Sequence, residues 1–222
     1  MNITCLHPSR NRAVMACAAF TDWMTNASGK HHIEWIISID EDDQQVDEYN
    51  VRFKPFGIKI IQNRNRSLVD AVNNAAKVAH QDTELFIVVS DDFGCPKDWD
   101  ELICQALPDF QMAAVQIDDG ISYGKPSPDN RLLTLPIITY DLYEVLGYVY
   151  HPAYFSLFVD NDLYEVCDRM QVLVNAGHLK FPHSHWVNGL RDKDSTYQRQ
   201  NSAIAYQMGK ATFENRKSAG FP

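Results

Sequence analysis

Several common routes to function are missing from this sequence. Its 222 residues hold five cysteines, at 5, 17, 95, 104 and 167, with no C-x-x-C and no zinc-finger spacing. That odd, scattered set argues against a disulfide framework or a structural zinc site, and for free thiols in a reducing compartment. No G-x-G-x-x-G follows the first apolar run and no G-x-x-x-x-G-K-[ST] occurs, so dinucleotide dehydrogenases and P-loop NTPases are disfavoured. A serine-hydrolase nucleophile elbow is not expected either. No apolar run approaches the ~20 residues of a membrane span, and the start, Met1-Asn2-Ile3, carries no basic leader. Basic charge is also scarce, with 20 Lys and Arg against 29 Asp and Glu and a formal net charge of −9. Such a balance opposes broad binding to nucleic acid or anionic membranes. The expectation is a soluble, cytoplasmic protein with no membrane span and no nucleic-acid partner.

What is present is a set of short apolar runs, at 3–6, 33–39, 58–61, 85–89 and 112–117. Their near-continuous hydrophobicity predicts strands covered on both faces, as in a parallel sheet. Segments of helical spacing lie between them: Val14, Cys17, Ala18 and Trp23; then Leu68 through Ala79; then Trp99, Leu102, Ile103 and Leu107. Alternating strands and helices predict a doubly wound α/β layer structure with helices on both faces. Ser67 is placed to cap the middle helix, with Asp70 three residues on. Residues 118–136, rich in Gly, Pro, Asp and Asn, read as a long loop, a length that usually marks a functional element. Beyond it the pattern predicts a helix at 140–146, a strand at 148–150, a helix from about 162 to 176 ended by Gly177, a short strand at 179–182, and a polar tail at 194–217 that is helical in its middle.

The polar residues that follow the strands are the informative feature. The first strand runs into His7-Pro8-Ser9-Arg10-Asn11-Arg12, the second into Asp40-Glu41-Asp42-Asp43, the third into Gln62-Asn63-Arg64-Asn65-Arg66-Ser67 and the fourth into Ser90-Asp91-Asp92. Ligands of open parallel sheets bind outside the carboxyl ends of the strands. Four such ends place arginines and carboxylates on one rim, the mixture that a nucleoside diphosphate with a divalent cation requires. Asp91 and Asp92 are adjacent, and adjacent carboxylates repel unless something positive lies between them.

On these segments the chain resembles the GT-A fold glycosyltransferases, in particular small family 2-like enzymes that use nucleotide sugars. The resemblance is carried by T-C-L-H-P-S-R-N-R (4–12), I-I-S-I-D (36–40), I-I-Q-N-R-N-R-S-L-V-D-A-V-N-N-A (60–75) and F-I-V-V-S-D-D-F (86–93), with later matches at 147–163 and 183–197. It implies a single Rossmann-like domain over 1–222, with a nucleotide-sugar-binding half at 1–118 and an acceptor-side half with a C-terminal tail at 119–222. It implies that Pro8, Ser9, Arg10 and Arg12 hold the nucleotide, that Asp40 accepts a hydrogen bond from the base, and that Arg64 and Asn73 lie near the base, ribose or phosphates. Asp92 would be the principal ligand of Mn²⁺ or Mg²⁺, with Asp91 at the ribose or the metal and the late pair His183 and His185 completing the metal shell. The family's D-x-D is here Ser90-Asp91-Asp92-Phe93, so one expected carboxylate is replaced.

Asp160, in Asp160-Asn161-Asp162, would be the general base of an inverting transfer, with Asp162 capping the helix. Aromatic residues from Tyr140 to Phe158, and Trp186, are candidates for core packing or an acceptor platform. The activity implied is metal-dependent, UDP-linked sugar transfer to a saccharide or other hydroxyl acceptor. A nucleotidyltransferase of related fold and a non-catalytic nucleotide-sugar-binding protein are the alternatives.

Overall fold

The computed structural model describes residues 1–107, 112–127, 130–184, 189 and 194–222. Along the chain run β1 (Asn2–Pro8), α1 (Ala13–Thr25), β2 (His32–Asp40), α2 (Val46–Phe53), β3 (Lys59–Asn63), α3 (Leu68–Lys77), β4 (Leu85–Val88), α4 (Trp99–Ala106), β5 (Ala114–Asp118), β6 (Ile137–Thr139), α5 (Tyr140–Leu146), α6 (Val159–Arg169), β7 (Leu173–Lys180), α7 (Ser195–Gln200) and α8 (Ala203–Ala219). The strands form one seven-stranded sheet in the order β3-β2-β1-β4-β6-β5-β7. β3, β2, β1 and β4 pair in parallel, as do β5 and β7, while β6 runs antiparallel to both of its neighbours. The sheet is therefore mostly parallel, as expected.

Successive strand residues point to opposite faces, and both faces are covered. Ile3, Cys5, Ile37 and Ile87 enter a core with Phe20, Trp23, Trp35 and Trp99. Leu6, Ile36, Phe86 and Val88 enter a second core with Val69, Val72, Leu142 and Leu163. Double coverage explains why the strand runs are continuously apolar rather than alternating. Ser67 caps α3 by accepting the backbone N–H of Asp70 at 3.4 Å, and the Asp70 carboxylate accepts the backbone N–H of Arg66 at 3.0 Å in return.

Two sequence expectations are corrected. Residues 148–150 form no strand: α5 ends at Gly147, in the left-handed region at φ 76°, and Asn73 pins the residues after it, accepting the backbone N–H groups of Val149 and Tyr150 at 3.0 Å each. The predicted helix to 176 ends instead at Arg169. After Gln171, at φ 59°, the chain extends into β7, where Val172-Leu173-Val174 suits a strand and β5 offers a parallel partner. Gly177 lies within β7, where a Cβ would stand 1.7 Å from the ring of Tyr123. Two elements have no counterpart in the sequence pattern, α2 and the three-residue β6. The tail is helical for most of its length. Among the described residues no helix is long and apolar enough to cross a membrane.

Candidate nucleotide-sugar site

The carboxyl ends of β1, β2 and β4 open into a cleft of about 270 Å³. Pro8, Ser9, Arg10, Arg12, Asp40, Asp91, Asp92, Asp160 and His183 all line it, so nine of the residues named from sequence share one cavity. Thr134, Ser156 and the α7 residues Thr196, Tyr197 and Gln200 contribute further wall.

A turn closed by the Phe93 N–H on Ser90 O at 3.3 Å sends the two adjacent carboxylates in different directions. Asp91 faces β1, where His7 Nε2 and Ser9 Oγ each stand 2.9 Å from its Oδ1 and Arg12 stands 3.6 Å from Oδ2. Protein groups thus offset the repulsion that the sequence alone would assign to a cation. Asp92 faces the late segment: its Oδ2 lies 3.5 Å from His183 Nε2. Their meeting is built by the backbone, because Phe93 and His183 form a β-bridge and stack their rings at 4.0 Å, and the Ser184 N–H donates to Asp92 O at 2.8 Å. A carboxylate and an imidazole facing each other suit a divalent cation in donor type. No group of three candidate ligands occurs among the described residues. His185 and Trp186 lie outside them.

Asp40 ends β2 with both oxygens engaged. Arg10 donates to Oδ2, Arg199 approaches the same oxygen at 3.4 Å, and Asn65 Nδ2 donates to Oδ1 at 3.1 Å. Arg10 also grips Asp42, with a second contact at 2.9 Å, and these partners hold its guanidinium pKa well above the ordinary value. α7 covers this end of the cleft. Asp194 caps α7 on the Tyr197 N–H at 2.7 Å and pairs with Arg12, while Thr196 Oγ1 donates to Arg10 O at 3.0 Å.

Asp160 sits in the first turn of α6, where its Oδ1 accepts the Asn161 N–H at 3.0 Å. Burial pushes its carboxyl pKa above the ordinary value, and the nearby Asp119 adds to the rise. Such a carboxylate holds a proton more tightly than a solvated one, which suits proton acceptance. Asp162 does not cap the helix, whose N-cap position is Phe158. It is buried, accepts Tyr154 OH at 2.8 Å and pairs with Arg216 of α8 at 2.6 Å.

Two residues named from sequence stand outside the cleft lining. Arg64, its side chain 90% exposed, lies 3.6 Å from Glu41, and Asn73 is occupied with the backbone at 149–150. Sequence reasoning misses His7, Tyr49, Asn65, Asp194 and Arg199. For Asp194 a signal exists, Asp-Ser-Thr opening a polar helical tail. His7, Asn65 and Arg199 lie in or beside the named motifs and carry no pattern of their own, and Tyr49 lies in α2, which the sequence pattern does not show. Gly120-Ile121-Ser122-Tyr123-Gly124 does spell G-x-S-x-G, contrary to expectation. It is no nucleophile elbow, because no helix begins at residues 125–127 directly after it and Ser122 Oγ donates to Asp119 Oδ2 at 2.8 Å.

No family model matches the chain, and no curated protein matches it. Solved structures do. S. aureus TarS 1–349 with UDP-GlcNAc superposes with a TM-score of 0.67 at 12% identity, covering 94% of this chain and 64% of that one. The mannosyltransferase PcManGT from Pyrobaculum calidifontis, with GDP-Man and Mn²⁺, gives 0.63 at 13% identity over 99% of this chain and 76% of that one. The fold is that of the GT-A glycosyltransferases. A Drosophila beta-1,4-galactosyltransferase 7 variant with manganese, UDP-Gal and xylobiose gives 0.53 at 11% identity, over 87% and 75% of the two chains. The chain spans 60% of the length of TarS 1–349 as aligned in its UDP complex.

Proposed function

We propose that this protein is a glycosyltransferase that moves a sugar from a nucleoside diphosphate sugar, UDP-linked by first choice, to a saccharide or other hydroxyl acceptor with inversion at the anomeric carbon. The observation that carries the reading is one cleft holding Arg10 and Arg12, the base-side carboxylate Asp40, the pair Asp92 and His183, and the elevated carboxyl of Asp160. The proteins of like fold, seen with UDP-GlcNAc, GDP-Man and UDP-Gal, support it.

In this reading Arg10 and Arg12 lie against the diphosphate and balance the charge that develops as it leaves. Asp160 takes the proton of the acceptor hydroxyl as that oxygen attacks the anomeric carbon, and the bond from that carbon to the diphosphate breaks. Asp92 and His183 are the residues that would hold Mn²⁺ or Mg²⁺, with His185 next in sequence. A bound cation would supply Lewis-acid stabilisation of the leaving diphosphate.

The test is calorimetry and thermal shift with UDP, GDP and ADP, each with and without Mn²⁺. UDP with Mn²⁺ is expected to bind best and to raise Tm. In Asp92→Ala the Mn²⁺-dependent part of that binding should vanish while the fold persists. Failure of any nucleoside diphosphate to bind the wild type sinks the reading.

A further inference from the structure

Beneath the cleft floor runs a buried chain of hydrogen bonds whose proton order can be read from its ends. The indole Nε1–H of Trp35 can only donate, and it stands 3.2 Å from His7 Nδ1. His7 Nδ1 is therefore an acceptor, and the ring carries its hydrogen on Nε2, directed at Asp91 Oδ1 at 2.9 Å. From the other side Ser9 Oγ–H donates to the same oxygen at 2.9 Å. Tyr49 oxygen accepts the backbone N–H of Arg12 at 3.1 Å, and its own hydrogen points to Ser9 Oγ at 2.7 Å. His7 is wholly buried and the Asp91 side chain is 3% exposed. Three contacts of the 8–12 loop thus converge on Asp91: the Ser9 hydroxyl, the Arg12 backbone through Tyr49 and Ser9, and the Arg12 guanidinium.

We propose that Asp91, held by the Nε2–H tautomer of His7, is a positioning residue that fixes the 8–12 loop for a nucleoside diphosphate and is not a ligand of the cation. This rests on the reading of the cleft as a donor site. The two neighbouring carboxylates then have separate duties. Asp92, across from His183, serves the cation, and Asp91, tied into β1, serves the loop. A rigid loop keeps Ser9 and Arg12 in their binding geometry before the ligand arrives, which raises affinity by lowering the ordering cost.

The experiment is calorimetric titration of UDP and GDP into the full chain, each with and without Mn²⁺, for the wild type, Asp91→Asn, Asp92→Asn, His7→Phe and His7→Gln. Asp91→Asn and His7→Phe should weaken nucleotide binding about tenfold in both conditions, leaving the Mn²⁺ enhancement within about twofold of the wild type. Asp92→Asn should remove the Mn²⁺ enhancement and spare the metal-free affinity. His7→Gln, which offers an amide N–H to Asp91, should recover most of the His7→Phe loss, an outcome that a space-filling role would not give. If Asp91→Asn removes the Mn²⁺ enhancement, Asp91 is a ligand and the inference fails while the donor-site reading stands. If the wild type binds neither nucleotide, the reading fails and takes the inference with it. Should His7→Phe not fold, ¹⁵N NMR of the wild type decides: His7 must show a bare Nδ1 and a protonated Nε2 at neutral pH, and the other tautomer or an imidazolium overturns the chain.

Discussion

Arg12 and Asp194, 182 positions apart in sequence, meet side by side, with Nε and Nη2 of the guanidinium at 2.6 and 2.7 Å from the two carboxylate oxygens. The same aspartate caps α7, so one side chain both starts that helix and fastens it over the Arg10 and Asp40 end of the cleft.

Asp194→Ala removes both contacts. Loss of the cap and the pair should lower Tm by about 2–6 °C. Loss of the cover should speed nucleoside diphosphate release about tenfold. Stopped-flow displacement beside a melting curve checks this, and an unchanged release rate would mean that α7 does not hold the ligand.

On the proposed reading Asp40 accepts the imide N–H of a pyrimidine base. Asp40→Asn should weaken UDP binding by about 1.5–3 kcal/mol and narrow the preference for UDP over ADP. Because Asp40 also anchors Arg10 and Asn65, ADP serves as the control for general loosening. Equal losses for both nucleotides would assign Asp40 to architecture alone.

Asp160→Asn should reduce turnover by about 10²–10⁴-fold with nucleotide affinity nearly unchanged. The wild-type rate should rise with pH through an apparent pKa above the ~4 of a free aspartate, because the base acts only after losing its proton. The stability consequence has the opposite sign. A carboxyl whose pKa is raised by folding favours the native state when protonated, and that contribution is lost as pH rises through the raised value. Asp160→Asn should therefore melt higher than the wild type at pH 7–8 and no higher near pH 3. A variant that keeps its transfer rate leaves the base elsewhere.

The placement of Asp160 also depends on α8. A Cβ on Gly209 would fall 2.4 Å from Leu157 O, and Tyr206 and Phe213 of the same helix pack on Phe158, whose backbone sits at φ 69°. Gly209→Ala should push α8 off the turn that precedes Asp160, lowering kcat about tenfold or more while nucleoside diphosphate affinity holds. Steady-state kinetics beside calorimetry separates these, and equal loss in both would indicate simple destabilisation.

Continuous apolar runs make the central strands legible, because strands covered on both faces need no polar alternation. The rim is legible for the same reason: Arg10, Arg12, Asp91 and Asp92 follow a strand whose end is clear, and Asp40 closes one. Elements too short to show a period escape. α2 buries only Tyr49 and Phe53, and β6 is three residues long. Gly177 reads as a helix stop, but its role is spatial, making room for the Tyr123 ring. Adjacency of Asp91 and Asp92 suggests shared work, whereas the turn between Ser90 and Phe93 parts them, and sequence does not display which way a turn faces.

The bridge between Phe93 and His183 sets an order on the making of this protein. The last sheet strand is finished at Lys180, yet His183 and all of α7 come after it. During synthesis, with the N-terminal part emerging first, the nascent chain can hold all seven described strands while its cleft still lacks a wall. A chain clipped by a protease just past Lys180 would keep every strand and lose His183, Asp194 and Arg199 together. Such a product would also take Phe181 out of the first core and leave buried Asp162 without Arg216 of α8.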